Sequence, residues 1–366
     1  MEKSSWQNNR LTRQWPALCL CLWLAVFPVG AQIGGLPGAY LRAPVGATAF
    51  AMGGAQAASP EELCTWQNPA MLSQVRATRI DCGGGLLSLG RTEGYSSLEY
   101  KISPRVGMGL FALYCGDPSI DKLYDENEEP LQSGAFTAIT AKIGLSYLVT
   151  RKTSIGLTIG YYYERLPTTY DKSTLNYSSA AAMGGFDFAI RYAPLKNWTI
   201  AALLRDIDIL KVLSGNSASI EMNWEAVSAD QYNAAVIDRI APEALVSSRL
   251  DLALAGRPFA WTCDAHAYMI DGDFTRLNYM ELRLNNGVEW KRWDSFFLRA
   301  GLGDILLNRN IFTNESDYAD EFLPRVTVGF GADLSKVQKG LRINYGIATD
   351  RAGAGVDQQV DLAYTF

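Results

Sequence analysis

Residue types able to do covalent or metal chemistry are sparse in this chain. Its one histidine, His266, lies two residues from Asp264 on a segment with strand periodicity. That spacing could orient an imidazole toward a serine nucleophile. No nucleophile-elbow motif accompanies the pair, so a histidine bonded to its neighbours is the expected reading. Cys64, Cys82, Cys115 and Cys263 have no Cys-x-x-Cys spacing, and with a single imidazole they do not make a metal set. The acidic run Asp125-Glu126-Asn127-Glu128-Glu129 lacks the glycine and distal glutamate of a calcium loop and reads as solvated. No enzymatic activity, metal or cofactor is expected. Thirty-three basic against 38 acidic residues, a net charge of -5, removes the basic footprint of a nucleic-acid partner. A hydrophobic fraction of 48% excludes a disordered chain.

What remains is to find what solvent the apolar residues face. Lys3, Arg10 and Arg13 precede an apolar run from Ala17 to Phe27, followed by the small residues Val29-Gly30-Ala31. This reads as a secretory signal peptide, residues 1–31, cleaved near Ala31. Cys19 and Cys21 lie within it. Beyond it no stretch reaches the ~18 uninterrupted apolar residues of a spanning helix.

The apolar residues recur instead with period two, the strand signature. In the last segment Val356, Val360, Leu362, Tyr364 and Phe366 share one face, and Asp357, Gln359, Asp361, Ala363 and Thr365 the other. Similar alternation runs through Ile155 to Glu164, Phe186 to Tyr192, Arg325 to Leu334 and Leu341 to Ala348. Fourteen segments qualify, at 76–87, 95–103, 105–115, 136–149, 153–164, 183–193, 198–206, 246–256, 259–270, 277–290, 294–303, 325–335, 340–349 and 356–366. A soluble sandwich would turn such apolar faces inward. Three features favour a membrane barrel. The segments match the ~9 to 11 residues of a tilted transmembrane strand. Tyr161, Tyr163, Trp198, Trp261, Trp290 and Tyr364 cluster near segment ends, where aromatic girdles lie. Short connections such as Ser103-Pro104 and Arg257-Pro258 alternate with long ones at 116–135, 165–182, 207–245 and 304–324. The expected fold is therefore all-β, a transmembrane antiparallel barrel of fourteen strands over residues 76–366. It would sit in the bacterial outer membrane, with lipid as its solvent and both termini periplasmic.

Residues 32–75 lack the barrel pattern. They contain Gly46-Ala47-Thr48-Ala49-Phe50-Ala51-Met52-Gly53-Gly54-Ala55, too glycine-rich for a stable isolated helix. Ala57 to Glu62 reads as a helix start, and Trp66-Gln67-Asn68-Pro69-Ala70 follows. The segment is either an exported linker with a turn at Asn68-Pro69 or a hatch packed in the barrel mouth. Its residue order resembles the N-terminal signature of the PorV/PorQ family, within the FadL-like barrels, over roughly a tenth of the chain. Gly46, Ala51, Met52, Gly53, Gly54, Trp66, Asn68, Pro69 and Ala70 carry the match. Gln67 departs from it, since the family often has an aromatic directly before the asparagine. The resemblance implies a fourteen-stranded barrel with an N-terminal hatch. It also implies one of two functions. PorV-like proteins are partners of type IX-like protein secretion and associate with a translocon or cargo protein; this is the first expectation. The alternative is a FadL-like channel for hydrophobic small-molecule ligands such as fatty acids. The terminal Leu362, Tyr364 and Phe366 resemble the signal read by the barrel-assembly machinery.

The second strand face carries both charge signs. Glu99, Lys101, Lys142, Glu164, Asp187, Arg191, Arg205, Arg249, Asp251, Glu281, Arg283, Glu289, Arg299, Arg325, Asp333, Arg342, Asp357 and Asp361 are all expected inside, paired with one another and with the hatch. The 207–245 segment is unusually apolar, and Ala235, Val236, Ile237 and Ile240 have partial helical spacing. A lid over the barrel is the expectation, with a ligand-holding or partner-docking surface as the other readings.

Overall fold

The computed structural model describes residues 38–58, 61–120, 134–171, 174–224, 237–269, 280–307, 324–350 and 355–366. The signal segment, the acidic run at 125–129 and parts of the long loops lie outside the described residues. Among the described residues there are sixteen strands: β1 (Arg79–Leu86), β2 (Thr92–Ser103), β3 (Val106–Ile120), β4 (Gly134–Leu148), β5 (Thr153–Asp171), β6 (Thr174–Leu195), β7 (Trp198–Asp208), β8 (Ile220–Trp224), β9 (Ile237–Ile240), β10 (Glu243–Leu254), β11 (Arg257–Met269), β12 (Met280–Trp293), β13 (Phe296–Leu306), β14 (Arg325–Asp333), β15 (Leu341–Thr349) and β16 (Val356–Thr365). Fourteen of them form an antiparallel barrel closed by β1 on β16, from Arg79 opposite Thr365 to Leu86 opposite Gln358. Closure leaves no unpaired sheet edge, which hydrocarbon would not tolerate.

Each of the fourteen segments read from the alternation overlaps one barrel strand, and the parity holds. In β16, Val356, Val360 and Leu362 point outward and are exposed, whereas Asp357, Gln359, Asp361 and Ala363 point inward and are buried. The outer wall is an apolar surface of Val, Leu, Ile, Phe and Tyr. The wall's inner face is largely polar, and the interior is filled not by its side chains alone but by residues 38–58 and 61–75.

Three expectations need correction. Residues 165–182 are not a loop: β5 and β6 continue through them as a hairpin paired to Asp171–Thr174, well past the membrane-length portion. Outside hydrocarbon neither face needs to be apolar, so the alternation signal disappears there while the backbone pairing persists. The apolar 207–245 segment holds a helical turn, α3 (Ile209–Leu213), capped by Asp208, and then the hairpin β8–β9. Ile237 and Ile240 belong to that hairpin and not to a helix. Finally, Ala57 to Glu62 starts no helix among the described residues; α2 (Cys64–Gln67) begins only after Leu63, which turns the chain at φ 53°.

Candidate functional site

The segment inside the barrel makes two limbs. The first contains the single helical turn α1 (Ala47–Ala51), which Gly53 and Gly54 terminate in the left-handed region. A five-residue helix has no stability of its own. Here the wall supplies it. Inward glycines of β12 to β15 leave a track for its backbone: a side chain on Gly301 would meet the Met52 carbonyl carbon at 2.3 Å, and one on Gly287 the Met52 oxygen at 2.4 Å. Gly53 itself combines φ 68° with a wall backbone 2.7 Å from where its Cβ would be, so no other residue type fits. The Ala47 N–H donates to Asp361 Oδ2 (2.8 Å), and Thr327 Oγ1 donates to the Ala51 carbonyl (2.9 Å). Gly46 sits at φ 96° with Leu63 against it. These contacts explain why small residues fill the signature stretch.

The second limb is α2 followed by a 3-10 turn, Pro69–Gln74. Asn68 caps that turn by accepting from the Ala70 N–H (3.0 Å), with Pro69 at the first position where its missing N–H costs nothing. Its Nδ2 donates to the Ala57 carbonyl (2.7 Å), which ties the limbs together. Trp66 stacks on Phe111 at 4.8 Å between centroids, beneath the Lys142 ammonium. Gln67, the departure from the family pattern, donates from Nε2 to the Val45 carbonyl (2.8 Å). Wall side chains satisfy the remaining backbone. Glu99 accepts from the Cys64 N–H, Arg205 donates to the Gln67 carbonyl, Ser146 to that of Ala70 (3.0 Å) and Lys101 to that of Ser73 (3.1 Å). Burial pushes the Cys64 thiol well above its ordinary range, with the Glu99 carboxylate adding to the effect.

Above the limbs lies an apolar cluster of Trp66, Phe111, Leu113, Tyr162, Leu41 and Val45, closed from the long-loop side by Ile220 and Met222 of β8 and Ile240 of β9. Ile240 also packs on Gly38, so lid and hatch touch directly. Beside the cluster runs a continuous polar network. Lys142 Nζ bonds Asp187 (2.8 Å) and Asp206 (2.9 Å), Tyr162 donates to Asp206 (2.7 Å), and Arg42 of the hatch spans Asp206 (2.9 Å) and Glu243 (3.5 Å). Burial opposes the Arg42 charge, but Asp206 and Glu243 more than offset it and hold the guanidinium ionised. The network continues through His266 and Asn285 to Asp304, Arg283 and Arg325. Buried charges of both signs persist because each has partners.

His266 does not hydrogen-bond Asp264. Its Nδ1 faces Glu243 and its Nε2 the Asn285 amide nitrogen. Asp264 instead accepts the Gln56 and Ala57 N–H groups (both 3.0 Å) and the Ser247 hydroxyl. Asp206 and Asp304, central to the network, were not among the residues expected inside. Each occupies a positive-φ position, at 55° and 58°, in a bulge of β7 or β13. A bulge re-aims one side chain against strict alternation, and a period-two reading cannot see it. At the other rim Tyr364 packs edge-on against Phe366 at 4.9 Å, next to outward Leu362. None of Cys64, Cys82, Cys115 and Cys263 is in a disulfide with another described cysteine, and Cys82 is exposed on the outer wall.

No protein-family model matches the chain, and no curated protein matches it. Solved structures do. A TodX deltaS2S3 mutant, a monoaromatic hydrocarbon channel, superposes with a TM-score of 0.57 at 14% identity, covering 88% of this chain and 99% of that one. The Ralstonia pickettii toluene transporter TbuX gives 0.52 at 12%, covering 88% and 98%. A Pseudomonas aeruginosa FadL homologue gives 0.51 at 11%, covering 87% and 98%. The chain has the fold of the FadL-like outer-membrane channels. This agrees with the wider group in the resemblance. The PorV/PorQ refinement finds no support in these three structures.

Proposed function

We propose that the protein is an exported outer-membrane channel for hydrophobic small molecules, with its short turns and both termini in the periplasm. The observation that carries this reading is the buried apolar cluster around Trp66 and Phe111, held between a hatch below and the β8–β9 lid above. A hydrophobe leaving water gains ~25 cal/mol for each Å² of apolar surface it buries there. The likeness in fold to structures described as hydrocarbon or toluene transporters supports the same reading. Passage requires the lid to lift and the hatch to shift, so the hatch works as a gate. Leu362, Tyr364 and Phe366 present the strand end to the barrel-assembly machinery, and membrane lipid covers the outer wall.

The test is uptake of radiolabelled oleate and of toluene by cells that lack their own FadL-like channels and express this protein. Wild type is expected to accelerate uptake of at least one of them. Met222→Lys, which places a charge in the cluster, is expected to abolish the gain. Uptake equal to that of empty cells, together with co-isolation of a secretion translocon and its cargo, would overturn the proposal in favour of the secretion reading.

A further inference from the structure

On their outer face, strands β4 to β7 and β10 carry a groove of about 860 Å³, within the ~300–1,000 Å³ range of small-ligand sites. Outward Leu145, Tyr147, Ile155, Phe188, Ile190 and Val246 wall it. Barrel walls are convex outside, so a hollow needs a cause. Here the cause lies behind it. Ala189, Leu203 and Leu245 pack inward on Ala57 and Ala70 of the hatch. A side chain on Gly156 would fall 2.2 Å from the Ala70 nitrogen. The wall lies close against the hatch here, at Gly156 and Ala189 above all, and the hollow is on the lipid side.

The short-turn end of this groove is basic. Arg105 precedes the lining residue Val106, and Arg151 and Lys152 form the β4–β5 turn just before Ile155. Lys196 lies in the β6–β7 turn, which Lys152 joins by donating to the Pro194 carbonyl (2.9 Å). All four are exposed, and among the described residues none makes an ion pair. The three turns contain no carboxylate. Asp251, on the neighbouring strand, whose N–H donates to the Asn197 carbonyl (2.9 Å), is paired with Arg249.

We propose that this groove binds one anionic glycerophospholipid of the leaflet at the short-turn rim, its acyl chains in the hollow and its phosphate among Arg105, Arg151, Lys152 and Lys196. An apolar trough ending in unpaired cations at the level where headgroups lie is complementary to that ligand and to no neutral one. The inference rests on the outer-membrane reading but not on transport. A lipid seated here backs the wall on which Ala70 rests, so its occupancy favours the seated hatch.

Purified full-length protein is exchanged into nanodiscs of equal dioleoyl-phosphatidylglycerol and dioleoyl-phosphatidylcholine, and retained lipid is counted by native mass spectrometry after mild detergent release. Wild type is expected to keep one phosphatidylglycerol. Arg105→Gln, Arg151→Gln, Lys152→Gln and Lys196→Gln combined are expected to reduce its retention roughly tenfold or more. Ala202→Trp, which fills the hollow from outside, is expected to abolish retention, with heat-modifiability on gels confirming that both variants fold. Equal retention of the two lipids, or undiminished retention by the charge variant, overturns the proposal. Failure of hydrophobe uptake would remove the transport reading and leave this retention unchanged.

Discussion

The two limbs of the hatch are seated by different physics. The first, Ala47 to Ala55, is held by shape: its backbone lies in a track of wall glycines, helped by few hydrogen bonds. The second, Cys64 to Ser73, is held by charge and hydrogen bonding, with Glu99, Arg205, Lys101 and Ser146 each engaging its backbone. A shape-held limb resists solvent and charge changes but not added volume. A charge-held limb responds to the loss of one partner. In the channel function proposed above, a gate needs one end fixed and one able to let go, and the second limb, beneath the apolar cluster, is the one suited to release.

The largest effect should come from the charged side. Lys142→Met strips Asp187 and Asp206 of their shared cation, both buried, and loss of one partner of a buried pair costs about 3–5 kcal/mol. Urea unfolding in detergent should show that loss; a midpoint shift no larger than that of an exposed control such as Lys336→Met would mean the network does not hold the interior. Next, Gly301→Val blocks the track of the first limb, and overpacking costs about 1–3 kcal/mol. Limited proteolysis should then cut near residues 47–55 while leaving 64–73 protected; if both limbs become cleavable together, they seat as one unit and the contrast fails. Asn68→Ala removes the cap and the tie to Ala57, at about 1 kcal/mol. Hydrogen exchange should rise at Ala70 and Met71 and spread to Ala57, whereas a rise confined to the turn would show the limbs uncoupled.

The smallest effect concerns pH. Burial alone would raise the Glu61 carboxyl, but Arg342, Arg249 and Arg299 together carry it below the ordinary carboxylate range. A depressed carboxylate contributes stability that is present at neutral pH and lost as pH falls through its folded value. Exchange of the Glu61–Leu63 amides should therefore increase modestly on acidification below about pH 4. Glu61→Gln should remove that dependence; if it persists unchanged, another group is responsible.

Much of this was legible from residue order. The alternation in β4, β5 and β14 to β16 placed lipid-facing and interior residues on their observed sides, and Glu99, Lys142, Asp187, Arg283 and Arg299 are buried and paired as expected. Alternation is readable because hydrocarbon punishes a polar side chain at every outward position. The signal ends where the membrane ends, which is why the upper β5–β6 hairpin was missed, and why the lid was expected but not its β8–β9 strand form. It also fails wherever a bulge breaks the period, as at Asp206 and Asp304. In the hatch, the small-residue signature marked a close approach but named no partner.

By itself, then, the amino-acid sequence determined a barrel wall of fourteen strands, its inner and outer faces and its turn positions, because these follow from local periodicity against two solvents. Only the tertiary structure decided what fills the barrel. Which glycine faces which hatch carbonyl, which acid takes Arg42 and why the wall is hollow outside Gly156 depend on pairings between residues up to 315 positions apart. Such pairings are set by closure of the barrel around the hatch, a global event that no local pattern encodes.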